Sequence, residues 1–264
     1  MINSTVITHF YNEEFLLPFW IKHHQQRFLN GIFIDYGSTD NSVEIIRDLA
    51  PNWKILKSKN SSFSAVEVDQ EINEIESEII GRRIVLTVTE FFIGDPRRSD
   101  SNYSVVPTVE LVCNLNEIDF DINNSFSNQI TQGLPNETPN PFRIKFKGRV
   151  FHDGYLQDGK SKFQYMPGRH YLSESSSPFL IYRVQNCLVN EKMIDRRLQI
   201  QHRIPMKDIE NNFGFQHHFH GQGLTREILI SETKILKSMS IDLSEIIQKA
   251  KELEEETITL LDCI

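Results

Sequence analysis

The feature that most constrains the fold is a regular alternation, over roughly the first 95 residues, of short β-branched apolar runs with amphipathic stretches, in units of about 30 residues. Residues 4–10 (STVITHF) are the first run, and the apolar spacing of 15–28 is helical. Residues 32–35 form a second strand, and 43–49 a helix that starts after a Ser, Asp or Asn cap and is closed by Pro51. A third strand over 53–57 precedes a helix over 66–80, in which Val68, Ile72, Ile75 and Ile79 recur at three and four residues and Gly81 marks the end. Residues 83–88 are almost wholly apolar, the mark of a strand covered on both faces and therefore central in a parallel sheet. Units of this kind join parallel neighbours by right-handed crossovers, so the first half reads as a doubly wound α/β sheet.

Past Gly94 the pattern dissolves. Residues 95–104 are polar, 105–115 resemble a strand, and 119–141 are rich in Asn, Ser, Pro and Asp, the composition of a surface loop or lid. Short strands are expected over 143–146, 149–151 and 170–172, while 179–184 has no clear assignment. Two helices, 225–239 and 243–261, close the chain. The second carries Leu243, Ile246, Ile247, Leu253 and Leu260 along one side, a stripe for packing on its own core, with a homodimer as the other use. The expectation is a single domain over 1–264 in three parts: 1–95, 96–224 and 225–264.

Composition excludes several classes. A net charge of −8 disfavours a protein that tracks nucleic-acid phosphates, because such binding depends on clustered Lys and Arg. Arg82-Arg83 and Arg196-Arg197 are local exceptions that suit a small anion, and Arg196-Arg197 with Arg203 reads as a phosphate-neutralising group or a solvated basic face. No apolar run reaches the ~18–20 residues of a membrane span. The sequence enters its first strand without a secretory signal, so the expected location is cytoplasmic. Cys113, Cys187 and Cys263 are far apart and in no CxxC arrangement, which predicts reduced thiols rather than disulfides or a cysteine zinc site.

Ligands of open α/β sheets bind outside the carboxyl ends of the strands. Tyr11-Asn12-Glu13-Glu14 follows the first strand here, and Asp35 closes the second, ahead of a Gly37-Ser38-Thr39-Asp40 loop. Asp35 can accept a proton from a base N–H, and Tyr11 can stack on a base. A second constellation is Gln216-His217-His218-Phe219-His220-Gly221, with His152, His170 and His202 upstream. Imidazoles suit a transition metal, although without regular ligand spacing surface or hydrogen-bonding histidines are the competing reading. The acidic residues Asp69, Glu71, Glu74, Glu76 and Glu78 read as a solvated helix, Asp153 in Asp153-Gly154 as a hairpin turn or a base, and Asp208 as a helix start.

Thr8-His9-Phe10-Tyr11-Asn12-Glu13-Glu14 together with Asp35-Tyr36-Gly37-Ser38-Thr39-Asp40-Asn41-Ser42 resembles the opening of family-2-like glycosyltransferases of the GT-A fold. The resemblance covers roughly the first 95 residues and implies a GT-A-like mixed sheet flanked by helices, with 1–95 as nucleotide-sugar-binding half, 96–224 as acceptor and lid region, and C-terminal helices. It implies a nucleotide-diphosphosugar donor of UDP or GDP type and a glycan or metabolite hydroxyl acceptor, as in bacterial glycan synthesis. Tyr11, Asn12, Glu13, Asp35, Asp69 and Thr89 would contact the donor, and His218 and His220 the phosphates or a metal. In that family the fourth strand ends in Asp-x-Asp, whose carboxylate holds Mn2+ or Mg2+. The corresponding segment is Thr87-Val88-Thr89-Glu90-Phe91-Phe92, with threonines at both aspartate positions. Glu90 is left as the carboxylate for a metal, and Glu90 and Asp153 are the expected catalytic bases. The competing functions are a non-catalytic nucleotide- or glycan-binding protein on the same fold and a metallohydrolase centred on His217, His218 and His220.

Overall fold

The computed structural model describes residues 4–96, 103–135, 146–154, 165, 168–173, 177, 179–214, 217–219 and 221–261. Strand β1 (Ser4–Phe10) pairs in parallel with β2 (Asn30–Asp35) on one side and β4 (Arg82–Val85) on the other, and β2 pairs in parallel with β3 (Lys54–Lys57). Between them run α1 (Leu17–Gln25), α2 (Ser42–Leu49) and α3 (Ala65–Ser77). The period-two alternation of the strands decides which helix covers which face. Val6, Phe10, Phe33 and Ile84 join Leu17, Trp20, Ile21 and Ile46 in the main core. Ile7, Ile34 and Val85 point the other way, onto Val68 and Ile72 of α3.

The sheet continues through β5 (Glu90–Ile93), β6 (Tyr103–Cys113), β7 (Gln132–Pro135), β8 (Phe146–His152), β9 (Tyr171–Ser173), β10 (Leu180–Cys187) and β11 (Ile241–Asp242). The strand order is β11-β7-β6-β8-β4-β1-β2-β3, with β10 paired to β5 and β6, and β9 to β8. Strand β8 runs antiparallel to β4, so the parallel first half is joined to a second half that is antiparallel except where β10 pairs in parallel with β6: a mixed sheet flanked by helices. Helices α4 (Phe126–Gln129), α5 (Glu191–Gln199), α6 (Met206–Glu210), α7 (Arg226–Met239) and α8 (Ser244–Leu261) complete the described chain. None of its helices is long and apolar enough to cross a membrane.

Three expectations need correction. The fourth strand stops at Val85 rather than residue 88, because the chain turns at 87–90, where the Glu90 N–H donates to the Thr87 carbonyl at 2.9 Å, and restarts as β5. The stretch 119–135 is not a bare loop: Phe120 and Phe126 pack against each other and against Phe19 in tilted and edge-on contacts, with ring centroids 4.8 to 5.8 Å apart, and α4 and β7 form here. Residues 136–141 and 143–145 lie outside the described residues. The acidic face of α3 is not solvated throughout, since Glu71 and Glu76 are buried. Glu71 accepts from the Tyr36 hydroxyl, the Ser58 hydroxyl and the Lys59 N–H, and Glu76 pairs with His152 and Arg169. Of the apolar stripe on the last helix, Leu243 and Ile247 are buried and Ile246 is exposed; the side chains of Leu253 and Leu260 lie outside the described residues.

Candidate functional site

The carboxyl ends of β1 and β2 are tied to each other. Asn12 has φ +50, a left-handed turn that asparagine tolerates, and its Oδ1 accepts from the Thr39 N–H at 2.7 Å. The Asn12 N–H donates to the Ser38 hydroxyl at 3.0 Å, Glu13 N–H to Ser42 at 2.7 Å and Glu14 N–H to Asp40 at 3.1 Å. Asp35 Oδ1 accepts from Gly37 and Ser38 N–H groups at 3.1 and 2.8 Å, closing the loop whose Gly37 sits at φ +81. Glu13 is buried, and its two oxygens accept from Arg196 of α5 at 2.6 and 2.7 Å. Asn12 and Glu13 therefore hold the strand ends in place, with their side chains committed to the protein.

Beside these loops lies a cleft of about 420 Å³ lined by Tyr11, Asp35, Tyr36, Lys57, Asn60 and Arg203, among others. The Arg203 guanidinium stands 4.2 Å over the Tyr11 ring while donating to the carbonyls of Tyr36 at 2.5 Å and Ser61 at 2.9 Å. One face of Tyr11 is thus covered by a cation, and a base entering the cleft would meet the Arg203 plane or the other face. A second hollow of about 470 Å³ shares Asp35 and Lys57 and reaches Arg47 and Trp53. Of the two residues common to both, Asp35 is the acceptor for a ligand N–H or O–H.

At the end of β4 the Thr87 and Thr89 hydroxyls lie 2.8 Å apart in a hydrogen bond. Glu90, only 1% exposed, accepts from Arg149 Nε at 2.9 Å, from Arg149 Nη2 at 2.9 Å and from the Thr87 N–H at 2.9 Å. Burial pushes this carboxyl up, and the Arg149 charge and hydrogen bonds outweigh it, holding Glu90 below the usual carboxylate range. Both oxygens are occupied, so Glu90 is a structural anion rather than an open ligand or base. Asp153 is exposed and follows His152, which is in register with Arg83 near the start of β4. Because β8 runs antiparallel to β4, Asp153 lies at the amino ends of the parallel strands, opposite the cleft.

Asp69 of α3 accepts at Oδ2 from the Gly168 N–H at 2.9 Å, while its buried Oδ1 has no partner. Burial raises its pKa against the opposing charges of Arg169 and Arg149. The histidine segment divides sharply. His218 is buried with its Nε2 3.0 Å from the Phe213 carbonyl and its Nδ1 accepting from the Gly221 N–H at 2.9 Å, so no ring nitrogen is free for phosphate or metal. His220 lies outside the described residues. His217 carries the open nitrogen, a buried Nδ1 without a partner. Burial, then the charges of Arg197 and Arg196, push His217 down to about 3. The basic pairs are not solvated either: Arg83 donates to the carbonyls of Ile79 and Gly81, and Arg197 is buried against Asn186 and Glu232.

Sequence reasoning passed over His9 and Arg149, while it grouped Arg203 with Arg196-Arg197 as a phosphate candidate or solvated face. His9 had a readable signal, since β1 alternation puts it on the face of Ile7, a polar side chain in an apolar stripe. Its ring packs against Tyr36 and Phe63, and its Nδ1 is buried without a partner. Burial first, then the Arg149 charge, lower its pKa to about 4. Arg149 had none, because its partner Glu90 is distant in sequence.

No protein-family model matches the chain, and no curated protein matches it. Among solved structures, it is similar to a fragment of S. aureus TarS at 11% identity, covering 83% of this chain and 72% of that one, with a TM-score of 0.39. It is similar also to the mannosyltransferase PcManGT from Pyrobaculum calidifontis, solved in complex with GDP-Man and Mn2+, at 11% identity, 89% and 70% coverage, and a TM-score of 0.39.

Proposed function

We propose that the chain binds a nucleotide-diphosphosugar in the cleft at the carboxyl ends of β1 and β2 and transfers the sugar to a hydroxyl of a glycan or metabolite. The observation that carries this reading is the meeting, at one cleft of about 420 Å³, of Tyr11, Asp35 and Tyr36 from the motif segments with Lys57, Lys59 and Arg203. That is the position at which open α/β sheets take ligands, and the lining combines aromatic rings, one carboxylate and cations suited to a base, a ribose and phosphates. In the transfer, the acceptor oxygen bonds to the anomeric carbon, the bond from that carbon to the diphosphate oxygen breaks, the nucleoside diphosphate leaves, and the acceptor proton passes to a base.

A second reading is a binding protein that retains the cleft without turnover. Its support is specific: the two carboxylates expected as bases are unsuited, Glu90 by its pairing with Arg149 and Asp153 by its place at the opposite ends of the strands. A thermal-shift panel of UDP-, GDP-, CMP- and dTDP-sugars separates these readings when followed by assays of transfer and hydrolysis on whichever donor binds. Stabilisation by one nucleotide class with turnover establishes the transferase, and stabilisation without turnover the binding protein. A melting temperature unmoved by all four classes refutes both.

A further inference from the structure

The strand end at which the resemblance places a divalent cation has the wrong donors for one. Mg2+ and Mn2+ are hard cations that take carboxylate, carbonyl and water oxygens. Thr87 and Thr89 offer neutral hydroxyls that already hydrogen-bond to each other, and the Glu90 oxygens are taken by Arg149 and the Thr87 N–H. Among the described residues no group of three or more His, Cys, Asp or Glu side chains is disposed to hold a metal ion.

His9 Nδ1, His217 Nδ1 and Asp69 Oδ1 are buried polar atoms without hydrogen-bond partners. His9 packs its ring on Tyr36 of the cleft, and Asp69 is joined to the Glu90–Arg149 pair through Gly168, which accepts from Arg149 and donates to Asp69. An unsatisfied buried polar atom costs about 1–3 kcal/mol, so each marks a place that a ligand completes. Their electrostatic environments interlock. His217 feels Arg197, Arg196, His218 and His9; His9 feels Arg149, Glu90 and Glu71; Asp69 feels Arg169 and Arg149. Both imidazoles are neutral near pH 7, so each offers one N–H donor to an anion without a charge to desolvate.

We propose that the nucleoside diphosphate binds here without a divalent cation, its phosphate oxygens meeting the His9 and His217 imidazoles while the free Asp69 oxygen accepts from a ligand hydroxyl. The proposal rests on the nucleotide reading of the site and goes beyond it in assigning the contacts.

Titration calorimetry of the full chain with UDP and with GDP, each in EDTA and each in excess Mn2+, tests the metal independence, and two variants test the contacts. For the nucleotide that binds, the Kd values in the two media are expected to agree within about twofold, and His217→Ala and Asp69→Asn each to weaken binding about tenfold in both, the loss of one hydrogen bond involving a charged group. Melting temperatures of the two variants, and His9→Asn as a third, establish that a weakened protein is still folded. Tightening of about tenfold or more on adding Mn2+ overturns the proposal and leaves the nucleotide reading standing. Unchanged Kd in both folded variants overturns it as well. Absence of binding by either nucleotide in either medium overturns the nucleotide reading itself and this proposal with it.

Discussion

Glu90 is a carboxylate held charged in the interior, and its charge persists because Arg149 and one backbone N–H surround it. The side chains are 5% and 2% exposed, so solvent screens neither. Removing one member of such a pair leaves the other charge buried and uncompensated, at a cost of about 3–5 kcal/mol, whereas replacing both with apolar groups of similar volume costs far less. Glu90→Gln is accordingly expected to lower the urea midpoint severely, and Glu90→Leu combined with Arg149→Met to recover most of the loss. Were Glu90 the reacting base, Glu90→Gln would instead abolish turnover with stability nearly intact, so unfolding curves beside an activity assay separate the two roles.

Helix α3 shows how an element can depend on a residue far along the chain. Ser64 occupies its N-cap position but makes no capping bond from its own side chain. Asp208 of α6 does so instead, accepting from the Ala65 N–H at 2.7 Å and from the Ser64 hydroxyl at 3.3 Å. A carboxylate at a helix N-terminus satisfies a free N–H and complements the helix dipole. Asp208→Ala should therefore destabilise the protein by about 1–2 kcal/mol, and hydrogen exchange should localise the loosening to the first turn of α3 as well as to α6. Exchange quickened in α6 alone would show that the cap is not holding α3. The same contrast separates what was legible in the sequence from what was not. β1 and the start of α7, where Thr225 accepts from the Ile228 N–H, follow from local pattern and local capping chemistry. The turn at Thr87 was hidden inside an apolar run, and β5 beyond it is specified by antiparallel pairing with β10, about 90 residues away. At the site, Tyr11 and Asp35 could be read from the ends of their strands. The fate of Glu90 and His218 could not, since it is decided by Arg149 and by a carbonyl and an N–H of a folded turn.

Across the whole molecule, folding stores several histidines in the neutral form, and this sets its response to acid. His24 is the most sequestered: fully buried, its Nδ1 lies 2.8 Å from the Trp20 carbonyl and its Nε2 accepts from the Phe92 N–H at 3.2 Å. A second proton would face the Phe92 N–H, and burial lowers the pKa to about 3. His23, His9 and His217 are lowered as well, each first by burial. A histidine whose folded pKa lies below its unfolded value of 6.5 contributes stability fully present above pH 6.5, and that contribution is lost progressively as pH falls toward the folded pKa. Glu90 acts lower on the scale, its contribution surviving until pH drops through a pKa below the usual carboxylate range. His24→Gln isolates the imidazole term, because glutamine can still accept from the Phe92 N–H but does not titrate. At pH 7 the variant should be the less stable protein, and by about pH 4.5 the gap in unfolding free energy should have narrowed by about 2–3 kcal/mol, at roughly 1.4 kcal/mol per pH unit. Parallel pH profiles for the two proteins would mean that His24 takes up its proton alike in the folded and unfolded chain, contrary to the burial and hydrogen bonding of its ring.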